Sequence, residues 1–187
     1  AWSDDGELIA YSSTKRNGTD TDLYVMNPRD PSTARMVAEV KGGGWSLAAF
    51  APDKKSAVVG SYVSVTNTDL YMLDLASGVM TPIGDPKKDI AYGGAQFAPD
   101  GSLWVTSDEG ADFQRLGTLD RKTGKFTPRG PKENWDVDTF DIAPDGSFIA
   151  YVTNEAGMAK LKLLDPKTDQ VRTVDSLPAG IIGGLEI

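Results

Sequence analysis

Charged residues between positions 108 and 115 are the side chains of this sequence best suited to contact a ligand. They are Asp108, Glu109, Asp112 and Arg115. Most of them stand on what we predict to be a long loop, and binding residues concentrate on such loops. The chemistry they indicate is recognition of a ligand rather than a bond-breaking step. The alternative is that Asp108 and Glu109 belong to an ordinary solvated loop.

Three aromatic residues offer platforms against which a ligand could pack. They are Trp45, Tyr92 and Trp135, which lie near the predicted long loops. Trp45 and Trp135 also come directly before predicted strands, so packing inside the protein is the alternative for both. Together with the four charged residues, these aromatic residues are the candidates for the ligand-facing set.

The residues that this chain lacks exclude the catalytic mechanisms that depend on cysteine or histidine. The sequence has no cysteine, which rules out disulfides, thiolate metal sites and cysteine nucleophiles. It has no histidine, which rules out Ser-His and Cys-His mechanisms. The run from Gly44 to Ala48 begins like a nucleophile elbow, but that motif needs glycine where Ala48 stands and a helix after it. We therefore predict no catalytic residues here and no hydrolysis of peptide bonds by this chain alone.

Two acidic runs suggest other chemistry, and the spacing argues against both. Residues 17–22 (Asn-Gly-Thr-Asp-Thr-Asp) resemble a calcium loop but lack its spacing and its terminal glutamate. Asp136, Asp138 and Asp141 could hold a carboxylate pair for acid–base work, but the period of a strand sends Asp141 to the opposite face. We predict structural roles for these residues, with no metal ion and no cofactor.

The composition is that of an ordinary globular protein with an acidic balance. The chain has 187 residues and a mass of 20.0 kDa, and 19 Lys and Arg against 27 Asp and Glu give a net charge of −8. The acidity argues against a nucleic-acid partner, because proteins that bind phosphate backbones concentrate positive charge. No apolar run approaches the length of a membrane span, so no membrane partner is predicted. The length suits a single domain.

The strongest pattern in the chain is an internal repeat with a period of about 47 residues. A tight-turn motif (Ser-Asp-Asp-Gly, Ala-Pro-Asp-Lys and twice Ala-Pro-Asp-Gly) has its third residue at Asp5, Asp53, Asp100 and Asp145. A second anchor, an Asp or Asn that closes an apolar run, recurs at Asn27, Asp74, Asp120 and Asp165. Two independent anchors with one period argue against chance. Lys54 stands where the other turns have glycine, which predicts a strained turn or a different turn type.

Each period contains four short runs that read as β-strands. They are rich in Val, Ile, Tyr, Phe and Thr and are bounded by Gly, Pro and Asp, and no segment holds a helical apolar face. Four-stranded antiparallel units at this period are typical of β-propeller blades. We predict an all-β chain of about four such blades, an arc of a larger propeller. The blades of this single segment are placed at 1–46, 47–94, 95–138 and 139–184, and 185–187 start a further blade.

The blade pattern also predicts where partners would bind. Alternate connections of a meandering blade emerge on opposite sides, and the longer ones share one side: 12–22, 39–45, 64–69, 107–114 and 128–137. A ligand is expected on that side. An isolated arc would also expose apolar blade faces, so we expect self-association or docking to missing blades.

Several motifs resemble the propeller repeat of the prolyl oligopeptidase family of serine peptidases. Residues 2–12 (Trp-Ser-Asp-Asp-Gly-Glu-Leu-Ile-Ala-Tyr-Ser) and 22–27 (Asp-Leu-Tyr-Val-Met-Asn) are similar to that repeat, which also occurs in the periplasmic propeller of the Tol system. Residues 92–97 (Tyr-Gly-Gly-Ala-Gln-Phe), 113–116 (Phe-Gln-Arg-Leu) and 135–138 (Trp-Asp-Val-Asp) are similar to bacterial members of the peptidase family. The resemblance covers essentially the whole chain.

The resemblance implies a parent protein in which the propeller precedes an α/β-hydrolase domain that carries the catalytic Ser, Asp and His. In such enzymes the propeller admits short peptides to the active site and keeps folded proteins out. The implied partners are the missing blades and the hydrolase domain of the same parent chain, together with a peptide substrate. Some relatives hold the amino terminus of the substrate with acidic propeller residues, a role for which Glu109 is the candidate here.

A different function is open on the same residues. The chain could be a scaffold or binding propeller like that of the Tol system, which mediates protein–protein interaction and has no enzymatic domain. A stop codon soon after the ring closes would favour the scaffold, whereas further blades followed by a nucleophile elbow would favour the peptidase. The sequence does not decide between a periplasmic and a cytoplasmic location.

Overall fold

The computed structural model describes residues 1–187 and is built from β-strands and turns, without helices. The strands form antiparallel sheets, and each sheet contains only strands that follow one another in the chain. This arrangement confirms the all-β class predicted from the sequence. No element has the helical length and apolarity needed to span a membrane.

The four sheets divide the strands in chain order. The first sheet contains β1 to β3, the second β4 to β7, the third β8 to β11 and the fourth β12 to β15. The strands are β1 (Ile9–Ser13), β2 (Asp22–Asn27), β3 (Asp30–Ala38), β4 (Trp45–Phe50), β5 (Ser56–Ser64), β6 (Asn67–Asp74), β7 (Met80–Ile83), β8 (Tyr92–Phe97), β9 (Leu103–Ser107), β10 (Arg115–Leu119), β11 (Phe126–Pro128), β12 (Val137–Ile142), β13 (Ile149–Glu155), β14 (Met158–Leu164) and β15 (Val171–Thr173). In the first sheet a single bridge between Trp2 and Ile9 stands where the other sheets have a full strand.

The chain divides into two compact units, each with its own core. The first unit comprises Ala1–Asp89 with Arg121–Thr123, and the second comprises Ile90–Asp120 with Gly124–Ile187. In the first unit, apolar side chains of the first and second sheets pack against each other. Its most deeply buried members include Leu23, Val59 and Leu73, which have no exposed surface. Burial of each such side chain contributes about 1.5–3 kcal/mol to folding.

In the second unit the third and fourth sheets share a core in the same way. The core residues are Ala98, Trp104, Leu116, Val137, Phe140, Ile149, Tyr151 and Leu164. Strand β9 pairs with β8 on one side and with β10 on the other, and all five of its residues are buried. The strand is therefore the fixed element against which the residues at its end are positioned.

Both anchors of the sequence repeat close their turns with their own side chains. In the tight-turn motif, Oδ1 of the aspartate accepts a hydrogen bond from the N–H two residues later, over 3.1 Å at Asp5, 2.8 Å at Asp53, 2.8 Å at Asp100 and 2.9 Å at Asp145. Asn27, Asp74 and Asp165 do the same over 2.9, 3.1 and 2.8 Å. Bonds to main-chain N–H groups favour the charged carboxylate, and they hold the pKa of Asp53 and Asp165 below its ordinary value. The anchor residues thus recur because each of them closes a turn with its own side chain.

Lys54 makes the same turn as the glycines that stand at its position in the other repeats. Its φ is +54°, against +68°, +83° and +68° at Gly6, Gly101 and Gly146. Its N–H donates to the carbonyl of Ala51 over 2.9 Å, as the glycines do to their own partners. The second repeat therefore has the same turn type as the others, with Lys54 in the left-handed backbone region that is strained for residues other than glycine. The Lys54 ammonium contacts the carboxylates of Asp5 and Glu7 in the preceding turn motif.

One of the connections expected to be long is a tight hairpin. Strands β5 and β6 continue until Ser64 pairs with Asn67, which leaves only Val65 and Thr66 between them instead of a loop over 64–69. The run from Ser56 to Thr68 has no charged residue and is rich in β-branched and aromatic side chains, which favours continued strand pairing.

Candidate functional site

Several of the candidate residues meet at one end of the third sheet. Tyr92 begins β8 and Arg115 begins β10, and both pair with Ser107, the last residue of β9. Residues 108–114 connect β9 to β10 at the same end. The sheet therefore brings Tyr92, Arg115 and the acidic loop together. Trp45, which was expected to end the loop at 39–45, is instead the first residue of β4.

Two adjacent glycines make this end of the sheet possible. The pairing of β8 with β9 shifts register between Tyr92 and Ala95, and a Cβ at Gly93 would stand 2.2 Å from Oγ1 of Thr106. A Cβ at Gly94 would stand 3.0 Å from the ring of Phe140. A side chain at Gly93 would clash with Thr106, and one at Gly94 would press on the ring of Phe140, so the two glycines allow the backbone to lie close to these neighbours.

Tyr92 is part of the packed sheet and not an open platform. Only 8% of its surface is exposed. Burial, together with the negative charges of Glu109 and Asp108, raises the pKa of its phenol to about 12. The hydroxyl therefore stays protonated in neutral solution.

The acidic residues of the loop have different surroundings. Oδ1 of Asp108 accepts a hydrogen bond from the N–H of Ala91 over 2.9 Å, so this carboxylate fixes the loop. Glu109 is half-buried, and its N–H donates to Oγ of Ser107 over 3.1 Å. Asp112 is exposed. Of the three, Asp108 has the clearest structural function, while Asp112 faces solvent.

Arg115 is half-buried and holds the loop by a main-chain bond. Its Nη2 donates to the carbonyl oxygen of Glu109 over 2.7 Å, and its guanidinium lies 5.9 Å from the ring centre of Phe126. Its Nε is buried and has no hydrogen-bond acceptor. The hydrogen-bonding capacity of this guanidinium is therefore not fully used, and a buried donor without a partner costs about 1–3 kcal/mol of stability.

Arg115 lines a cleft of about 180 Å³ in the second unit. The cleft lies between the ends of β10 and β11 and the strands of the fourth sheet, and the loop from Arg129 to Glu133 forms its rim. Its lining residues are Arg115, Leu116, Pro128, Arg129, Gly130, Pro131, Lys132, Glu133, Val137 and Tyr151. The cleft therefore combines apolar walls with three cations and one carboxylate.

The one carboxylate of this cleft is already paired. Glu133 accepts hydrogen bonds from the hydroxyl of Tyr151 and from Nζ of Lys162, each over 2.9 Å. Lys162 also contacts Oε1 of Glu155 at 3.0 Å. Burial alone would lower the pKa of Lys162, but the hydrogen bonds and charges of the two glutamates outweigh it and raise that pKa. Burial and the charge of Glu133 also raise the pKa of Tyr151.

Arg129 is likewise held in place by partners in the fourth sheet. Its Nε donates to Oδ1 of Asp169 over 2.7 Å, and its Nη2 donates to the carbonyl oxygen of Pro166. The guanidinium also stacks over the ring of Trp104 at 5.2 Å. This arginine fixes the rim of the cleft and is not free for a ligand.

The two tryptophans differ in burial. Trp45 is half-buried against the core of the first unit, its ring 5.5 Å from that of Tyr71, and its Nε1 donates to the carbonyl of Lys41 over 3.1 Å. The packing alternative describes its position better than a free platform does. Trp135 is 39% exposed, and the neighbouring Asp136 accepts a hydrogen bond from the N–H of Gln114 over 2.7 Å.

The acidic run at 17–22 is closed by an arginine. Arg16 donates to Asp22 over 2.7 Å through Nε and to Asp20 over 3.0 Å through Nη2, and its Nη1 lies 3.1 Å from Oε1 of Glu39. Oδ1 of Asp22 also accepts the N–H of Val40 over 3.0 Å. These carboxylate oxygens are therefore engaged by donors within the protein.

The reasoning from sequence missed the buried network behind the cleft. Tyr151 and Lys162 are cross-strand partners in β13 and β14, and Glu133 reaches them from the loop before β12. The available signal was the long charged loop at 128–137. Without the register of β13 and β14, nothing indicated that Lys162 points inward and needs a carboxylate.

Comparison with known proteins identifies relatives of two kinds. No family model matches the chain. In sequence, the chain is 29% identical over 132 residues to dipeptidyl-peptidase 5 of Porphyromonas gingivalis. That match covers 67% of this chain and 19% of the relative, so the chain spans about a fifth of the length of the peptidase.

Solved structures show the same fold. A putative TolB from Agrobacterium tumefaciens superposes with a TM-score of 0.75 at 20% identity, covering 96% of this chain and 65% of that protein. A prolyl endopeptidase superposes with a TM-score of 0.73 at 18% identity, covering 96% of this chain and 28% of that protein. These likenesses confirm the β-propeller fold. Together with the sequence match, they confirm the resemblance of this chain to the propeller region of prolyl oligopeptidase-family peptidases.

Proposed function

We propose that this chain is the noncatalytic β-propeller portion of a prolyl oligopeptidase-like serine peptidase. It screens or positions peptide substrates for an α/β-hydrolase domain on the same parent chain. The observation that carries this proposal is the sequence match to dipeptidyl-peptidase 5, of which this chain corresponds to about a fifth. Because the chain has neither histidine nor cysteine, the catalytic groups must come from elsewhere in the parent.

In this proposal the four sheets are consecutive blades, at about 1–46, 47–94, 95–138 and 139–184, of a larger ring. Support comes from a groove of about 310 Å³ on the fourth sheet. Phe148, Leu163, Leu164 and Val171 line it. A neighbouring blade buries such a face in a closed propeller. In the absence of that blade, the chain associates with itself through these faces.

The substrate-facing surface in this proposal is the end of the third sheet with its connecting loop. Glu109 and Asp112 supply carboxylates, Arg115 supplies a cation, and Trp135 supplies partly exposed aromatic surface. The half-burial of Glu109 suits a carboxylate that meets an amino terminus, because partial desolvation strengthens a charge pair.

A second candidate is a scaffold propeller without an enzymatic domain. It is favoured by the likeness to the Agrobacterium TolB, which has a TM-score of 0.75 and of which 65% is covered. A propeller fold hosts many functions, so the likeness in fold does not separate this candidate from the first.

The experiment that separates them starts with the gene. The peptidase proposal expects further blades after Ile187, followed by Gly-x-Ser-x-Gly and a later histidine. The parent protein should then react with a fluorophosphonate serine probe and cleave short peptides faster than folded proteins. A stop codon soon after ring closure, or a parent that the probe does not label, would contradict the peptidase proposal and favour the scaffold.

The isolated chain provides the matching control. Purified residues 1–187 should hydrolyse no peptide bond in a fluorogenic dipeptide assay. Turnover that persists through successive purification steps and follows the chain on a sizing column would contradict the assignment of catalysis to another domain.

A further inference from the structure

We propose that the cleft beside Arg115 is a binding site for a peptide carboxylate. The inference rests on the proposed function for the choice of a peptide as carrier of that group, and it goes beyond it by naming the group and the residues that hold it. The site consists of Arg115 and Lys132 as cations and of Leu116, Pro131 and Val137 as apolar wall.

The first argument is the charge balance inside the cleft. Its carboxylate, Glu133, has both oxygens engaged by Tyr151 and Lys162. Its second arginine, Arg129, is paired with Asp169. The other two cations that line the cleft, Arg115 and Lys132, have no carboxylate partner, although the protein as a whole has a net charge of −8. Two cations that face one cleft in an acidic protein attract an anion.

The second argument is the incomplete bonding of Arg115. Its contacts are a neutral main-chain carbonyl and the ring of Phe126, while Nε is buried without an acceptor. A guanidinium pairs best with a carboxylate through two parallel N–H donors, which often include Nε–H. Because Arg115 lines the cleft, a ligand carboxylate bound there would give the guanidinium an ionic acceptor that the protein does not provide.

The third argument is the size and shape of the cleft. Its volume of about 180 Å³ suits a group as large as one side chain or one terminal residue, and not a whole ligand of drug size. Lys132 is exposed on the rim, whereas Arg115 is half-buried. A peptide would therefore insert one carboxylate and leave the remainder of its chain outside.

The carboxylate has two sources in a peptide, and the test separates them. The probes are N-acetyl-Ala-Ala-Ala as the free acid and as the amide, and N-acetyl-Ala-Glu-Ala-amide with its glutamine counterpart. Binding to ¹⁵N-labelled protein is followed by NMR, with the Nε–H resonance of Arg115 as reporter. We expect at least one acid to bind ten times more tightly than its neutral match and to shift that resonance. Preference in the first pair indicates the terminal carboxylate, and preference in the second the acidic side chain.

The variants test whether the cleft is responsible. Arg115→Gln should weaken binding of the preferred acid at least tenfold, Arg115→Lys should restore part of it, and Lys132→Gln should weaken it by about threefold. Arg172→Gln removes the same charge from the exposed edge strand β15 of the same unit and should leave binding unchanged. Equal binding of the acids and their neutral matches, or an Arg115→Gln variant that binds like the wild type, would overturn the inference.

Failure of this inference is distinguishable from failure of the proposed function. A preference for carboxylates in a parent that no serine probe labels keeps the cleft and rejects the peptidase. A parent that the probe labels, with no such preference in the cleft, keeps the peptidase and rejects the carboxylate site.

Discussion

Arg16 in the first unit and Arg115 in the second are the same residue type in opposite surroundings. Arg16 contacts the carboxylates of Asp20, Asp22 and Glu39 and donates to the carbonyl of Val40. Arg115 contacts one main-chain carbonyl and one ring, and its Nε has no acceptor. A guanidinium surrounded by carboxylates has its charge neutralised within the protein, whereas one that contacts only a carbonyl and a ring keeps its charge for a ligand.

The replacement Arg16→Gln should have the largest effect on stability. Asp22 has no exposed surface, and loss of its cationic partner leaves a buried carboxylate without a counter-ion. We expect the midpoint of thermal unfolding to fall by roughly 5 °C or more. Scanning calorimetry measures this shift, with Arg29→Gln as the control at an exposed position of the same unit. Equal midpoints for the two variants would show that the Arg16 cluster does not stabilise the protein.

The alkaline side of the stability curve tests the other region. The pKa of Tyr92 is raised from 10.0 to about 12, because the folded protein buries the phenol near Glu109 and Asp108. Because the folded protein favours the neutral phenol, the contribution of Tyr92 to the free energy of unfolding is complete below pH 10.0. It is lost as the pH rises towards 12. We expect the free energy of unfolding to fall by at most about 2 kcal/mol over that range.

Urea unfolding of the wild type and of Tyr92→Phe between these pH values measures the loss. The phenylalanine variant should show less of it, while Tyr62→Phe, which alters a tyrosine that is 56% exposed, should follow the wild type. Parallel pH profiles for the wild type and Tyr92→Phe would show that the titration of Tyr92 does not cause the alkaline loss of stability.

The dependence of stability on acidic pH tests the Arg16 cluster in a second way. The hydrogen bonds from Arg16 and from the N–H of Val40 lower the pKa of Asp22 below its ordinary value of 3.8. A lowered pKa means that the contribution is complete above 3.8 and is lost as the pH falls below it. Urea unfolding at about pH 6 and about pH 3 should therefore show a smaller difference in Asp22→Asn than in the wild type. The same difference in both proteins would assign the acid sensitivity to other carboxylates.

Arg115→Gln should have the smallest effect on stability, which is the reverse of its expected effect on peptide binding. The variant loses one hydrogen bond to a carbonyl but also removes a buried donor without an acceptor, so we expect a change within about 1 kcal/mol. The free energy of unfolding in urea measures it at neutral pH. If Arg115→Gln lost as much free energy of unfolding as Arg16→Gln in the same urea assay, Arg115 would be a structural residue.

The fold was predictable because its signals are local. The anchors at Asp53 and Asp74 close turns with neighbouring N–H groups, and that chemistry is visible within a few residues of sequence. The strand predicted at 70–73 lies within β6, because a short run of apolar and aromatic residues ended by Asp74 marks a strand directly. The strand ends were less predictable: Trp45 begins β4, although it was expected to end the loop at 39–45.

The cleft was not predictable, because its members come from distant parts of the chain. Arg115 was recognised as a candidate, but Glu133 and Tyr151 reach the same place only through the path of a loop and the register of β13. The inward direction of Lys162 likewise follows from its pairing with Tyr151. Composition and period carry no information about such contacts.

The self-closing turns have a consequence for how such a chain can grow in evolution. Each repeat contains its own anchor residues, such as Asp100 in the third and Asp145 in the fourth, and each anchor needs only the two or three residues after it. A duplicated segment therefore arrives with everything required to fold its hairpins and needs a neighbour only to cover its faces. Gene duplication can lengthen the array by whole repeats, and substitutions such as Lys54 show how far an individual copy can drift without losing its bend.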